Sequence, residues 1–491
     1  MRVVVIGGGI VGASAAYHLA GRGVSVTVVD GGYPGEATQA GAGIVCPWVD
    51  HPEDDDWYRL TREGARRYPD LVEALGEDIG YAKVGALLVA EDPAELEPVR
   101  SLLRRRYAQA PEMGEVTDVA APSELFPPLS DSLSALLVPG AARVDGRSVR
   151  DALLQAAVAR GARIHPGTAT LTPDGQVLVH PSTAPRPNEA GHRPPHPVSP
   201  GTRAESGAKT GRAPAAGSGA EAGSGAEPGS GAEAGSGGAG SWRQATPFAP
   251  AAGTPAPPPT GTSAGTNAGT SAGANASAGT ARVPGDGAPV AAGDGDGFAV
   301  AASDGDGVPV AASDGDGVPV AADVVIVAAG AWTGEVCRPL GAELPVFPRR
   351  GQILHATLEG VDTAWWPIVL PSAAPYLLGF PGSRVVIGAT VEDVGFAPRV
   401  TLGGLEEVLS AGLRIAPGLA AATVTETRVG LRPVNAPGRP LIGPLTSRVV
   451  VATGLSAYGL TAGPFAGQVA AALALGESPP IDLAPYAPAR S

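Results

Sequence analysis

The sequence is poor in the residues that staple small secreted proteins and in those that fill membranes. Its 491 residues include two cysteines, Cys46 and Cys337, which allow one disulfide at most; a reduced pair is the expectation, and neither stands at a metal-ligand spacing. Nowhere does an uninterrupted apolar run approach the ~18 residues of a membrane-crossing helix. The opening "MRVVVIGGG" has one Arg and four apolar residues before its glycines, too short a core for a secretion signal. Lysine and arginine number 34 against 48 acids, a formal charge of -14, with no basic stripe for nucleic acid. The seven histidines, His18 and His355 among them, form no cluster, no Ser/His/Asp or Cys/His set stands out, and no zinc spacing occurs. These absences leave a cytoplasmic protein with no transmembrane segment as the expectation.

What is abundant is glycine and proline, 71 and 50 residues, and they are concentrated. Over 181–322 the chain reads "GSGAEAGSGAEPGSGAEAGSGG" and "GTSAGTNAGTSAGANASAGT", without apolar period. Such a composition cannot bury enough surface to offset ordering entropy, so a disordered insertion is expected there. The insertion closes in a ten-residue repeat, "FAVAASDGDG", "VPVAASDGDG", "VPVAADVVIV", and hangs from the tip of a β-meander. The "DGDG" spacing fits no calcium loop and reads as a solvated acidic linker. About 350 residues remain for folding, two domains' worth.

The most informative stretch is the first. "VVVIG" has the β-branched, glycine-closed form of a buried parallel strand. "GIVGASAAYHLAGRG" follows as a helix and "VSVTVVD" as a second strand, one βαβ unit. Gly7, Gly9 and Gly12 then hold the spacing of a dinucleotide turn. Gly7 permits the tight turn, Gly9 lets a pyrophosphate near the backbone, and Gly12 lets helix and strand pack closely. Ile10 and Val11 open the helix, whose unpaired N–H groups face the phosphates. Asp30 ends the second strand where an acid hydrogen-bonds a ribose hydroxyl. This alone does not separate NAD from FAD. "GEATQAGAGIVCP" does: Ala42, Gly43 and Ile44 let the backbone pass beside a bulky flat ring, and Thr38 is within reach of a phosphate or ribose. "DGRSVRDALLQAAVARGARI" is a helix capped by Asp145 or Ser148 and leading into a strand.

With these segments, "ADVVIVAAGAW", "PRRGQI", "APYLLGF", "VVIGATVEDVGF", "GLRPVNAPGRPLIG" and "GLSAYGLTAGP", in that order, resemble the FAD-dependent D-amino-acid oxidase, glycine oxidase and D-amino-acid dehydrogenase family. The resemblance spans the chain except the insertion. It implies an α/β (α+β) fold in which a Rossmann-like FAD domain (1–50, 140–180, 323–342, 425–485) interleaves with a mixed-sheet substrate domain (51–139, 343–424). It implies that Arg432 pairs with the substrate carboxylate, for which a planar guanidinium suits better than lysine, and that Tyr376 hydrogen-bonds the same group. Gly459, Leu460 and Thr461 would face the pyrimidine end of the flavin, with a helix N-terminus near Gly463. Ala329 and Gly330 would pass close to the cofactor, with Trp332 as packing, and Arg349 and Arg350 would orient strands. A backbone carbonyl near Ala457 would accept from the substrate amine.

Glycine oxidases carry an arginine at the position of Ala457, a departure that argues against a strict glycine oxidase. No cysteine follows Cys337, so FAD is expected to be non-covalent. The implied reaction is oxidation of the amine of a D-amino acid, or of a glycine or sarcosine type substrate, with oxygen or another electron acceptor closing the cycle. Two alternatives share the same opening: a nicotinamide-dependent reductase and a non-catalytic flavin-binding interaction protein.

Overall fold

The computed structural model describes residues 1–181, 317–372, 375–436 and 438–488. Two large sheets organise them, in keeping with the α/β (α+β) expectation. Parallel strands covered on both faces must be apolar throughout, and "VVVI", "VVIV" and "VVVAT" are. They lie side by side in a six-stranded sheet ordered Leu441–Pro444, Val449–Thr453, Val324–Val327, Arg2–Ile6, Ser25–Asp30, Arg163–Pro166. Neighbours run parallel, except that Leu441–Pro444 runs antiparallel to Val449–Thr453.

The helix Ile10–Ala20 and the helix Gly459–Ala474 lie against each other beside this sheet, and both are buried almost all round. Small residues let them approach: a Cβ at Gly467 would strike the Val11 carbonyl oxygen and lie 2.6 Å from the Ser14 Cβ. The Ser14 hydroxyl donates to the Pro464 carbonyl at 2.6 Å. The helix Gly146–Ala159 covers the other flank of the first helix, its N-terminus capped by Asp145, which accepts from the Arg147 and Ser148 amides.

The second sheet has eight strands, ordered Thr423–Asn435, Val346–Thr357, Arg384–Gly388, Tyr376–Phe380, Ile368–Pro371, Ala86–Ala90, Ser134–Val138, Thr117–Val119. The long strands Val346–Thr357 and Thr423–Asn435 pair antiparallel, Arg349 opposite Arg432. This strand crosses the domain boundary expected at 424/425 and stays with the second sheet. Val434 of the second sheet bridges Leu455, which follows the strand Val449–Thr453 of the first and precedes the short helical turn Ser456–Tyr458.

The expected insertion lies mostly outside the described residues, as do the "DGDG" copies. Its C-terminal boundary needs correction. Val318–Val320 is a strand that pairs antiparallel with Val177–His180, Val318 opposite Val179, in a three-stranded sheet with Thr168–Leu171. The two ends of the intervening segment therefore sit on adjacent strands, as the meander reading anticipated. Cys46 and Cys337 are both buried and free. Among the described residues no helix is long and apolar enough to cross a membrane, and no cluster of metal-ligating side chains occurs.

Candidate active site

A cavity of about 550 Å³ runs from the first glycine turn to the junction of the two sheets. At one end, Gly7 leaves the first strand with φ +100, left-handed backbone that glycine adopts freely; a Cβ there would lie 2.5 Å from the Ala328 carbonyl oxygen. A Cβ at Gly12 would drive into the Gly7 carbonyl oxygen and crowd Val5. Gly9 caps the first helix without a side chain of its own. Thr38 supplies the missing acceptor, taking the Ile10 amide at 3.0 Å. The Thr38 hydroxyl and the free end of an 11-residue helix thus occupy one spot, with Ile10 and Val11 in the cavity wall. Such an N-terminus favours a phosphate.

Asp30 stands beside this turn. Its carboxylate accepts from Arg150 Nη2 at 3.0 Å and from the Gly32 amide at 3.2 Å. Arg150 also donates through Nε to the Gly8 carbonyl at 2.8 Å, so one guanidinium ties the glycine turn to the acid. Nothing in the linear pattern around Arg150 announces this; it sits on the buried side of a helix that reads as ordinary. Glu36, half-buried nearby, has its carboxyl raised to about 7 by burial and by the Asp30 charge.

The middle of the cavity is lined by Ala42, Ile44, Ala329 and Gly330. Gly43 has φ +96, and a Cβ there would collide with the Val144 carbonyl oxygen, so the chain hugs the next strand and leaves the cavity side open. Gly330 (φ +55) directs its carbonyl to the Thr333 and Thr453 hydroxyls, at 2.8 and 2.9 Å. Trp332, expected as packing alone, also lines the cavity and stacks on Tyr33 with ring centroids 5.5 Å apart. Gly167, Thr168, Ala169 and Thr170 complete that wall and carry no motif that sequence reading could catch.

At the far end, the last helix begins at Gly459 rather than near Gly463. Gly459, Leu460 and Thr461 form its first turn and line the cavity. The Leu460 carbonyl accepts the Tyr68 hydroxyl, and the Thr461 hydroxyl donates to the Ile44 carbonyl at 2.9 Å. Ser456 and Ala457 complete this edge.

Arg432 and Tyr376 come together here from separate strands and share a hydrogen bond. Arg432 Nη1 donates to the carbonyls of Arg350 (3.2 Å) and Thr390 (3.0 Å). A Cβ on nearby Gly351 would lie 2.4 Å from Arg432 Nη2, so a larger residue there would push the guanidinium aside. No carboxylate among the described residues lies within 4.0 Å of Arg432, whereas its neighbours are paired: Arg349 with Asp393 at 2.7 Å, and Arg350 with Glu392. Burial lowers the Arg432 pKa and pushes Tyr376 up to about 12, the guanidinium opposing the latter shift. A half-buried cation with no carboxylate of the described residues within 4.0 Å is costly, so this end of the cavity is matched to an anion. The sequence reading also passed over Asp50, which lines the cavity and accepts a hydrogen bond from Tyr458. Its only signal is a lone acid closing the apolar "CPWV".

The residues fit FAD. The cavity is long, glycine-cradled where a pyrophosphate would lie, acidic beyond it, and small-walled toward the far helix N-terminus. Comparisons agree with that fit. The family model described as FAD dependent oxidoreductase matches residues 2–187 and 296–473. The uncharacterized oxidoreductase YurR of Bacillus subtilis (strain 168) is 34% identical over 99% of this chain and 98% of its own. The crystal structure of iminodiacetate oxidase from Chelativorans sp. BNC1 is 35% identical with a TM-score of 0.70, covering 99% of both chains. Glycine oxidase of Pseudomonas putida is 35% identical, but over only 34% of this chain and 46% of its own.

Proposed function

Because the chain belongs to the DAO family of FAD-dependent oxidoreductases, we propose that it oxidises the amine of a small α-amino carboxylate, a D-amino acid or a glycine or sarcosine type compound, to the imine. FAD, not a nicotinamide, is the dinucleotide of this family, and that removes the reductase alternative. Iminodiacetate, the compound in the name of the 35% identical oxidase, is an N-substituted glycine and falls within the class.

One observation carries the reading: the Arg432 guanidinium lines the cavity beside the Tyr376 hydroxyl with no carboxylate of the described residues within 4.0 Å of it. In the mechanism that follows, Arg432 and Tyr376 hold the substrate carboxylate, a charge-assisted arrangement that fixes one end of the molecule. The Tyr376 oxygen accepts from Arg432, which frees its hydrogen for the substrate. A backbone carbonyl near Ala457 accepts from the amine. Two fixed ends present one face of the α-carbon to the cofactor, a gain in orientation. Bound FAD supplies the acceptor for the two electrons that leave the C–H bond. The N-terminus of the helix from Gly459 directs its positive end into the same space and favours negative charge there. The imine hydrolyses in water to a 2-oxo acid.

The test is anaerobic. The FAD-loaded protein is mixed with D-amino acids, glycine, sarcosine and iminodiacetate, and loss of flavin absorbance near roughly 450 nm is followed. Bleaching by at least one of them is the expected result. No bleaching by any, with flavin bound, refutes the reading and leaves the flavin-binding interaction protein in its place. Readmitting air then separates oxygen from other acceptors.

A further inference from the structure

A substrate amine reaches such a site mostly as its ammonium, because alkyl amines titrate near ~10. Hydride can leave the α-carbon only once nitrogen has a free lone pair. One proton must therefore go somewhere. Arg432 and Tyr376 cannot take it, the first being a cation and the second a neutral phenol at neutral pH.

We propose that the Asp50 carboxylate binds the substrate ammonium and accepts this proton, acting as a general base with Tyr458 as its positioning partner. The inference rests on the functional reading above. In the step, one N–H bond of the ammonium breaks and one O–H bond forms on Asp50. No electron is transferred, and the proton returns to water after product leaves.

The geometry around Asp50 is built rather than incidental. Its backbone is gripped by Arg106, which donates to the carbonyls of Trp48 (2.8 Å), Asp50 (2.6 Å) and His51 (2.7 Å) and stacks over the Tyr58 ring at 3.8 Å. That guanidinium spends its donors on carbonyls, so it fixes the loop without forming an ion pair with the carboxylate. Tyr458 is fixed in turn, its ring 4.6 Å from His51 and 5.2 Å from Trp57. The two non-glycine residues that flank the pair, His51 (φ 52) and Ser456 (φ 49), both have left-handed backbone. Strain of this kind persists where the surroundings over-determine the chain, and it gathers at functional sites. Cys46, Tyr376 and Ile353 share one core cluster, and the Val434–Leu455 bridge joins the strand of Arg432 to the turn that ends in Tyr458. Asp50 and Arg432 both line this one cavity, a carboxyl and a guanidinium for a molecule that carries both charges.

The charges facing Asp50 are few. Arg106 comes from the helix Glu97–Tyr107, Tyr458 from the turn before the last helix, and Cys46 and His51 from its own segment. Burial raises the Asp50 carboxyl to about 7, with Arg106 and the Tyr458 hydrogen bond opposing. Burial holds His51 down to about 4, neutral when Asp50 titrates. A base poised near the working pH is the efficient choice.

The experiment compares wild type, Asp50→Asn, Asp50→Glu and Tyr458→Phe, all FAD-loaded, with the bleaching amine from pH 6 to 10. Wild type is expected to lose kcat/KM as pH falls through about 7. Asp50→Asn must wait for the free amine, ~1% of the total two units below its pKa, so it falls about 100-fold at pH 8 and converges on wild type near pH 10. Asp50→Glu restores part of the rate. A binding readout accompanies the kinetics, using flavin absorbance perturbation by 2-aminoisobutyrate, which has no α-hydrogen, and by propionate, which has no amine. Asp50→Asn should weaken the first about tenfold and leave the second unchanged. If Asp50→Asn does not fold, Tyr458→Phe decides: loss of the hydroxyl that favours the Asp50 anion should move the acid limb to higher pH. An unaltered limb in either variant, or equal weakening of both ligands, overturns the proposal while leaving amine oxidation standing. No bleaching by any amine overturns both.

Discussion

Replacing Arg432 with methionine tests the site through two readouts that move apart. The side chain fills similar space but brings no charge. Nη1 is committed to the Arg350 and Thr390 carbonyls, so Nη2 and the Tyr376 hydroxyl remain for a carboxylate. Losing one hydrogen bond to a charged partner costs about 3 kcal/mol at the upper end, roughly 150-fold in kcat/KM at ~1.4 kcal/mol per tenfold. Stability should move much less than activity. The native arginine has no carboxylate within 4.0 Å among the described residues, and its burial carries a desolvation penalty that methionine does not. The Arg350 and Thr390 carbonyls lose their donor, which works against that gain, so Tm is expected to change by no more than a few degrees. The assay is anaerobic flavin reduction with the bleaching amine, alongside thermal unfolding and flavin content. A variant that keeps kcat/KM within threefold, or loses activity only in step with Tm and flavin, refutes the assignment. Arg432→Lys should recover charge but not the fork, and land between.

Gly12→Ala pushes a methyl into the Gly7 carbonyl, so it should purify with little flavin and a Tm lower by several degrees; normal flavin content would count against the dinucleotide turn. Asp30→Asn keeps the Gly32 contact but weakens the tie to Arg150, and FAD affinity measured by fluorescence titration should drop about tenfold. Replacing residues 182–316 by a short glycine-containing turn should leave folding and turnover intact, because Val179 and Val318 already face each other. Extending the deletion to 322 removes a strand and should lower Tm. For acid stability, Glu392 is the group to watch. Burial alone would raise its pKa, but the Arg350, Thr390 and Gln352 bonds win and hold it at about 2. A depressed carboxyl stabilises above its unfolded value, near ~4.3, and that contribution fades as pH falls toward 2. Denaturant titrations of Glu392→Gln should show a flatter loss of stability over that window than wild type.

The parts of the fold and site that could be read in the sequence are the ones built locally. The glycine turn and Asp30 lie within one βαβ unit, where each residue's duty follows from backbone geometry. Asp145 as a cap was legible for the same reason. Arg150 was not, since its two partners, Gly8 and Asp30, approach it only after a helix docks. Asp50 meets Tyr458 across nearly the whole chain. The edge of the insertion is hard to read because "VPVAA" occurs twice, and the sequence does not tell that the second copy pairs with Val177–His180. The helix expected to begin near Gly463 begins at Gly459, because Pro464 fits inside its first turns and its carbonyl is satisfied by Ser14.

That last contact has a consequence for biosynthesis. The face of Ile10–Ala20 that packs on Gly459–Ala474 emerges from the ribosome long before its partner does. The central strand Arg2–Ile6 likewise waits for Val324–Val327. A nascent chain must keep an apolar hairpin of strand and helix unsatisfied through most of translation, the circumstance in which chaperones are recruited. Messages truncated before the final helix should yield aggregates rather than partial, colourless enzyme.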